Sequence, residues 1–165
     1  MTVLRHFKPA ILPLAALLAA ITIAGCSMGG MAGGGSSSAA ALSQGLSARM
    51  DQPGATLNRA EAIGLINAYR ATTGQPALIS DAALDGTAQA LANQYAQTGT
   101  PPQSPQSLTM KLSAGYATFG ETFSGWRNSA ADAAGLRSNA TKAGVAVAFN
   151  GSSSYGVHWV LVLGN

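Results

Sequence analysis

The sequence predicts an α/β protein: a small three-layer α-β-α sandwich around a mainly antiparallel sheet. Three observations carry that prediction. Two stretches between residues 57 and 99 repeat apolar side chains at three- and four-residue spacing, the period of a helix. Two runs near the C-terminus, residues 144–149 and 155–163, are rich in valine and aromatic residues. Asn150-Gly151-Ser152-Ser153-Ser154 joins them with a hairpin-turn signal. The second run is apolar at both parities except at His158, as in strands covered on both faces, so helices are expected on each side of the sheet.

The elements follow in order. Leu57, Glu61, Ile63, Ile66 and Tyr69 fit a helix over residues 57–71, and Gly74 with Pro76 supplies its stop. Ser80 reads as the N-cap of a second helix. Its stripe of Leu84, Ala88, Leu91 and Tyr95 should face the sheet, and it should end near Gly99. Residues 100–107 hold three prolines and read as loop. A short helix is expected over residues 108–114, ending at Gly115.

Ahead of this domain lie two segments of different composition. Residues 1–25 carry Arg5, His6 and Lys8, then an uncharged run from Ala10 to Ala24. That run is short of the roughly 20 residues a spanning helix needs, and its basic start and small-residue end describe a signal peptide. Residues 26–56 are rich in Gly, Ser and Ala and read as a flexible linker, with a transient helix over 39–50. Residues 57–165 form the folded domain. Only 9% of residues are charged, against about 25% in ordinary soluble domains. Nine Lys+Arg stand against six Asp+Glu, and Arg5 and Lys8 leave with the leader. No basic stripe or cluster exists, which excludes a nucleic-acid partner. The single cysteine excludes an intramolecular disulfide.

Ile23-Ala24-Gly25-Cys26 resembles the lipobox of bacterial lipoproteins. The resemblance implies that Cys26 takes a diacylglyceryl group, carries palmitate-type chains and becomes the mature N-terminus. Two or three acyl chains anchor a protein stably, whereas one does so marginally. Ser27, rather than Asp, follows the cysteine; by the same resemblance this implies the outer membrane, facing the periplasm.

The domain itself resembles the CAP superfamily, which includes cysteine-rich secretory, antigen 5 and pathogenesis-related proteins. Leu65-Ile66-Asn67-Ala68-Tyr69-Arg70, then Ala88-Gln89-Ala90-Leu91-Ala92, look like its opening helices. Gly120-Glu121-Thr122 resembles its Gly-Glu-Asn motif, with Thr122 replacing Asn. Trp126-Arg127-Asn128-Ser129 is similar to its Trp-x-x-Ser segment, and residues 144–147 and 158–162 to its last two strands. Many members present two His and two acidic residues in a cleft, sometimes around a divalent metal. Here the resemblance supplies Glu121 and His158. No histidine lies in residues 96–115, and Asp132 stands where the family's Ser-Pro-Gly-His stretch ends.

The resemblance therefore implies half a site. His158 is the only histidine left once the leader is removed, and a catalytic zinc usually takes three protein ligands, so no metal or other cofactor is expected. Ser124 and Ser129 lie near Glu121, but no Gly-x-Ser-x-Gly elbow appears, which argues against a triad hydrolase. The candidate ligand-binding residues are Glu121, His158, Trp126 and Tyr116, with Trp126 expected to be partly exposed beside Arg127 and Asn128. Glu121 and His158 are expected to meet in a hydrogen bond, since an unpartnered imidazole in an apolar strand would cost about 1–3 kcal/mol. The implied function is a lipid-anchored envelope protein, monomeric and more binding module than enzyme, with an apolar, glycan or protein ligand. The alternatives are a divergent hydrolase using Glu121 and His158, or a purely structural lipoprotein.

Overall fold

The structure, a computed structural model, describes residues 43–165. The expected leader, Cys26 and the expected linker up to residue 42 lie outside the described residues. The chain runs α1 (Gln44–Ser47), α2 (Arg59–Thr72), β1 (Ile79–Ser80), α3 (Ala82–Thr98), β2 (Thr109–Ala114), α4 (Phe119–Asn128), α5 (Ala130–Leu136), β3 (Lys142–Phe149) and β4 (Val157–Gly164). The four strands lie in the order β1-β3-β4-β2. β4 pairs antiparallel with β3 and β2, and only the two-residue β1 runs parallel, to β3. The α-β-α sandwich with a mainly antiparallel sheet is the architecture the sequence predicts.

Capping sets the helix starts. The Asn58 side chain accepts from the Glu61 amide at 3.2 Å and opens α2. At α3 the cap is Asp81, not Ser80: its Oδ1 accepts from Ala83 and Leu84 at 2.9 and 3.0 Å, while Ser80 is held in β1 opposite Ala143. The ionised side chain wins because it satisfies two orphan amides and favours the positive end of the helix. α3 ends at Gly99, as its sequence indicates.

The helix expected over residues 108–114 is a strand. β2 pairs with β4 from Thr109↔Leu163 to Ala114↔His158. Met110 and Leu112 pack on the α3 side, while Lys111 turns to the other side and meets Asp132 of α5. That alternation has period two, and a wholly buried partner strand outweighs the weak helical propensity of so short a run.

β4 is buried along its whole length, and its parity sorts two cores. Val157, Trp159, Leu161 and Leu163 face α2, α4 and α5, where they meet Ile63, Ile66, Phe119, Phe123, Trp126 and Leu136. His158 with Val160 and Val162 turns to the other face, under α3, where Ala88 and Ala92 lie on Ala146. Leu84, Leu91 and Tyr95 of the predicted stripe do face the sheet, though Leu84 and Leu91 are only partly buried. Gly144 lets α3 come this close, since a Cβ there would stand 2.1 Å from the Leu84 carbonyl carbon.

Two features lie outside the sequence reading. Leu46 and Met50 are buried in the aromatic core, and the Met50 amide donates to the Ala117 carbonyl at 2.8 Å. The linker expected through residue 56 therefore gives way to packed chain by residue 46, because two large apolar side chains in a Gly/Ser/Ala background find an enclosed site. Arg70 of α2 is completely buried. Its guanidinium donates to the carbonyls of Pro76, Leu136, Ser138 and Ala140 at 2.7–3.1 Å. These bonds pin α2 to the end of α5 and to the segment leading into β3, with no carboxylate among the acceptors. Burial pushes the guanidinium pKa below its usual value.

Candidate functional site

A cavity of about 500 Å³ opens along α4, lined by Tyr116, Glu121, Ser124, Gly125, Asn128 and Ser129. The turn before α4 builds one wall. Gly115, at φ 91°, redirects the chain, and the buried Trp159 indole donates to the Tyr116 carbonyl at 2.9 Å. The Tyr116 ring, 44% exposed, then lies against α4 at Gly125, where a Cβ would come within 3.1 Å of it. An aromatic face held open to solvent in this way is available to a ligand.

Glu121 forms the start of the opposite wall, and its chemistry is already committed. It is the third residue of α4 and completes a capping box: its Oε2 accepts from the Thr118 amide at 3.0 Å and the Thr118 hydroxyl at 2.9 Å. The Glu121 amide in turn donates to Thr118 Oγ1 at 3.2 Å. Thr122, at the family's Asn position, is buried and donates to the Thr118 carbonyl at 3.1 Å. The substitution is thus absorbed within the first turn of α4.

The structure does not bring the other candidates here. Trp126, expected to be partly exposed, is 2% exposed and packs against Phe119 in the core. Its indole donates to the Leu112 carbonyl at 2.9 Å, so its polar handle is satisfied inside. Its polar neighbours in sequence mislead because a helix turns about 100° per residue, so Arg127 and Asn128 face elsewhere. His158 lies on the α3 face of the sheet, whereas Glu121 belongs to the helix on the opposite face. The expected Glu121–His158 hydrogen bond is absent: the His158 Nε2 pairs with Ser153 Oγ at 3.2 Å. Parity along β4 could have shown this, since His158 and the inward Trp159 are adjacent and must point to opposite faces. Asp132 is paired with Lys111 at 3.2 Å, so a cation of the chain itself occupies the carboxylate.

These placements do not fit a metal. Among the described residues, no three of His, Cys, Asp and Glu gather closely enough to hold one. Glu121 and Asp132 are spent on a helix cap and on an ion pair, and His158 lies on the other face of the sheet beside Ser153. What the groove offers instead is an aromatic face, one carboxylate edge, and the hydroxyl and amide groups of Ser124, Asn128 and Ser129.

The family signature described as CAP, the cysteine-rich secretory protein family, matches residues 63–163, and the chain belongs to that family. An outer surface protein from Borrelia burgdorferi has a similar fold at 16% identity and a TM-score of 0.53, over 62% of this chain and 88% of that one. An extracellular protein containing an SCP domain from Bacillus anthracis matches at 15% identity and 0.53, over 66% of this chain and 40% of that one. A cysteine-rich secretory protein from Staphylococcus aureus matches at 10% identity and 0.51, again over 66% and 40%. A search of curated proteins returned no match. No helix among the described residues is long and apolar enough to cross a membrane.

Proposed function

We propose that this protein is a lipid-anchored module of the cell envelope, held through Cys26, and that its CAP domain binds a ligand or partner in the α4 groove without transforming it. One observation carries the reading. The groove keeps an open, preformed shape, yet its only carboxylate serves a helix cap and no histidine reaches it. A general acid–base pair needs two titratable groups within reach of one substrate, which Glu121 and His158 on opposite faces of the sheet do not provide. The lining combines an aromatic face with hydroxyl and amide groups, which suits a glycan or a peptide. The surface and extracellular settings named for the similar structures support placement outside the cytoplasm.

The test is to block the groove. Ser124→Trp should fill it from a half-buried position on α4 that lines the groove, and the variant's urea midpoint should confirm that it folds. Thermal-shift screening of the full chain against glycans and peptides should find ligands that stabilise the native protein and not the blocked one. Ligands that stabilise both equally would overturn the groove as the binding site. For the anchor, Cys26→Ser should move the protein out of the detergent phase, and unchanged partitioning would overturn the lipoprotein reading.

A further inference from the structure

The other face of the sheet holds a second constellation, independent of the α4 groove. The C-terminal end of α3 and the β3–β4 hairpin enclose a cavity of about 330 Å³, with Gln97, Thr98, Asn150, Ser153 and Tyr155 in its wall and no charged side chain in its lining. Asn150 fixes the hairpin: its Nδ2 donates to the Ala96 carbonyl at 2.8 Å, and its Oδ1 accepts from the Ser152 amide at 3.0 Å. Ser153 lies in the cavity wall. Beneath it sits His158, wholly buried, with Nε2 3.2 Å from Ser153 Oγ.

We propose that Ser153 and His158 form a nucleophile–base dyad that accepts acyl groups from neutral carboxylic esters. The pairing is the one acyl transfer requires, a hydroxyl of a half-buried serine in the cavity wall with an imidazole behind it within hydrogen-bond reach, and the Tyr155 amide donates to the same Oγ at 3.4 Å. Packing aims the ring. Tyr95 and Tyr155 meet it edge-on, with centroids at 4.7 and 6.4 Å and interplanar angles of 70° and 86°. Burial holds the imidazole below its ordinary pKa and so favours its neutral form, the one with a ring-nitrogen lone pair free to accept. The tautomer that accepts from Ser153 carries its proton on Nδ1, and that buried nitrogen has no hydrogen-bond partner among the described residues. The uncharged lining favours a neutral substrate.

The step balances without redox chemistry. Ser153 Oγ attacks the ester carbonyl carbon and forms a C–O bond, and its proton passes to His158 Nε2. The bond from the acyl carbon to the alkoxide leaving group breaks, and that group takes the proton from Nε2. Water then hydrolyses the acyl-serine, releasing the carboxylic acid and restoring both groups. No carboxylate touches Nδ1, and loss of that third group costs a full triad about 10⁴-fold in rate. The dyad is therefore expected to react with activated esters in a slow, nearly stoichiometric manner.

The experiment treats the full chain with a fluorophosphonate probe and with p-nitrophenyl acetate, and locates adducts by peptide mass. Ser153 should carry the adduct, with labelling lost in Ser153→Ala and kept in Ser152→Ala and Ser154→Ala. A folded protein without an adduct, or one labelled evenly across the three serines, would overturn the dyad. His158→Gln should slow labelling at least tenfold in a chain that still folds, and an unchanged rate would refute the base. Ser153→Cys gives a second measure that leaves the buried imidazole in place. Its thiol should be alkylated by iodoacetamide about ten times faster than that of Ser152→Cys, because His158 Nε2 can take the thiol proton as the sulfur attacks. Equal rates would remove His158 from the proposal.

Discussion

The two faces of one sheet are built on opposite principles. On the first, α1, α2, α4 and α5 cover β4, and its Trp159 interlocks with Phe119, Phe123 and Trp126 of α4, with neighbouring ring centroids 5.7–6.4 Å apart. On the second, a single 17-residue helix approaches almost to backbone contact through Ala88, Ala92, Ala146 and Gly144. The aromatic face is stabilised by the area it hides, and the alanine face by dispersion between closely packed small groups. They should therefore fail in opposite directions, the first to side-chain removal and the second to side-chain addition.

The largest expected effect is on the aromatic face. Trp159→Ala removes a fully buried ring and leaves the Tyr116 carbonyl without its donor, and should cost about 3–5 kcal/mol by urea unfolding. It should also loosen the α4 groove, since Tyr116 is positioned through that bond. A loss below 1 kcal/mol would mean that the helices on this face do not depend on β4.

The next effect is smaller and has the opposite origin. Gly144→Ala adds one methyl group against the main chain of α3, where a rotamer change cannot relieve the contact. Overpacking of this kind costs about 1–3 kcal/mol. If the alanine variant unfolds at the same urea concentration as the native chain, α3 slides freely and the close-contact account of this face is wrong.

The smallest effect is a titration that touches the alanine face alone. His158 has a folded pKa below its ordinary value of 6.5 because burial disfavours the charged form. Below pH 6.5 the unfolded chain therefore binds the proton more readily than the native one. Stability from this residue is complete above that pH and is lost as pH falls toward the folded pKa. Unfolding midpoints should decline from about pH 6.5 downward by the equivalent of at most one proton, and His158→Gln should flatten this portion of the curve. A native profile that stays level from pH 7 to pH 5 would contradict the burial of the imidazole.

The same contrast explains what could be read from the sequence. α2 and α3 are visible because their apolar residues recur at helical spacing, and the β3–β4 hairpin because Asn150-Gly151 separates two valine-rich runs. β2 is hidden because its six residues are all half-buried at a sheet edge, so its alternation is muted and only its pairing to β4 decides it. α4 and α5 are broken at Ser129, and each is too short for its period to stand out. At the site, Glu121 is legible through the family motif and Tyr116 as an aromatic candidate near it, and both line one groove. Trp126 and His158 lie elsewhere because the direction in which adjacent side chains point overrides sequence proximity and family position. The Ser153–His158 contact has a signal only in retrospect, a hydroxyl five residues before the one polar residue of an apolar strand.

Arg70 has a consequence for how this chain can drift in evolution. Its four acceptors are all main-chain carbonyls, at Pro76, Leu136, Ser138 and Ala140, and every residue type supplies that group. The dependence is therefore one-sided. Ser138, whose own hydroxyl is buried without a partner, can change to alanine without altering what the guanidinium meets. Arg70 has no such latitude, since lysine would bring the charge without the planar fork that spans four separated acceptors. A loop free to vary around a residue that is not lets divergent copies of this fold look unrelated along residues 137–139, between the buried Leu136 and Ala140, while sharing one fixed cation beneath them.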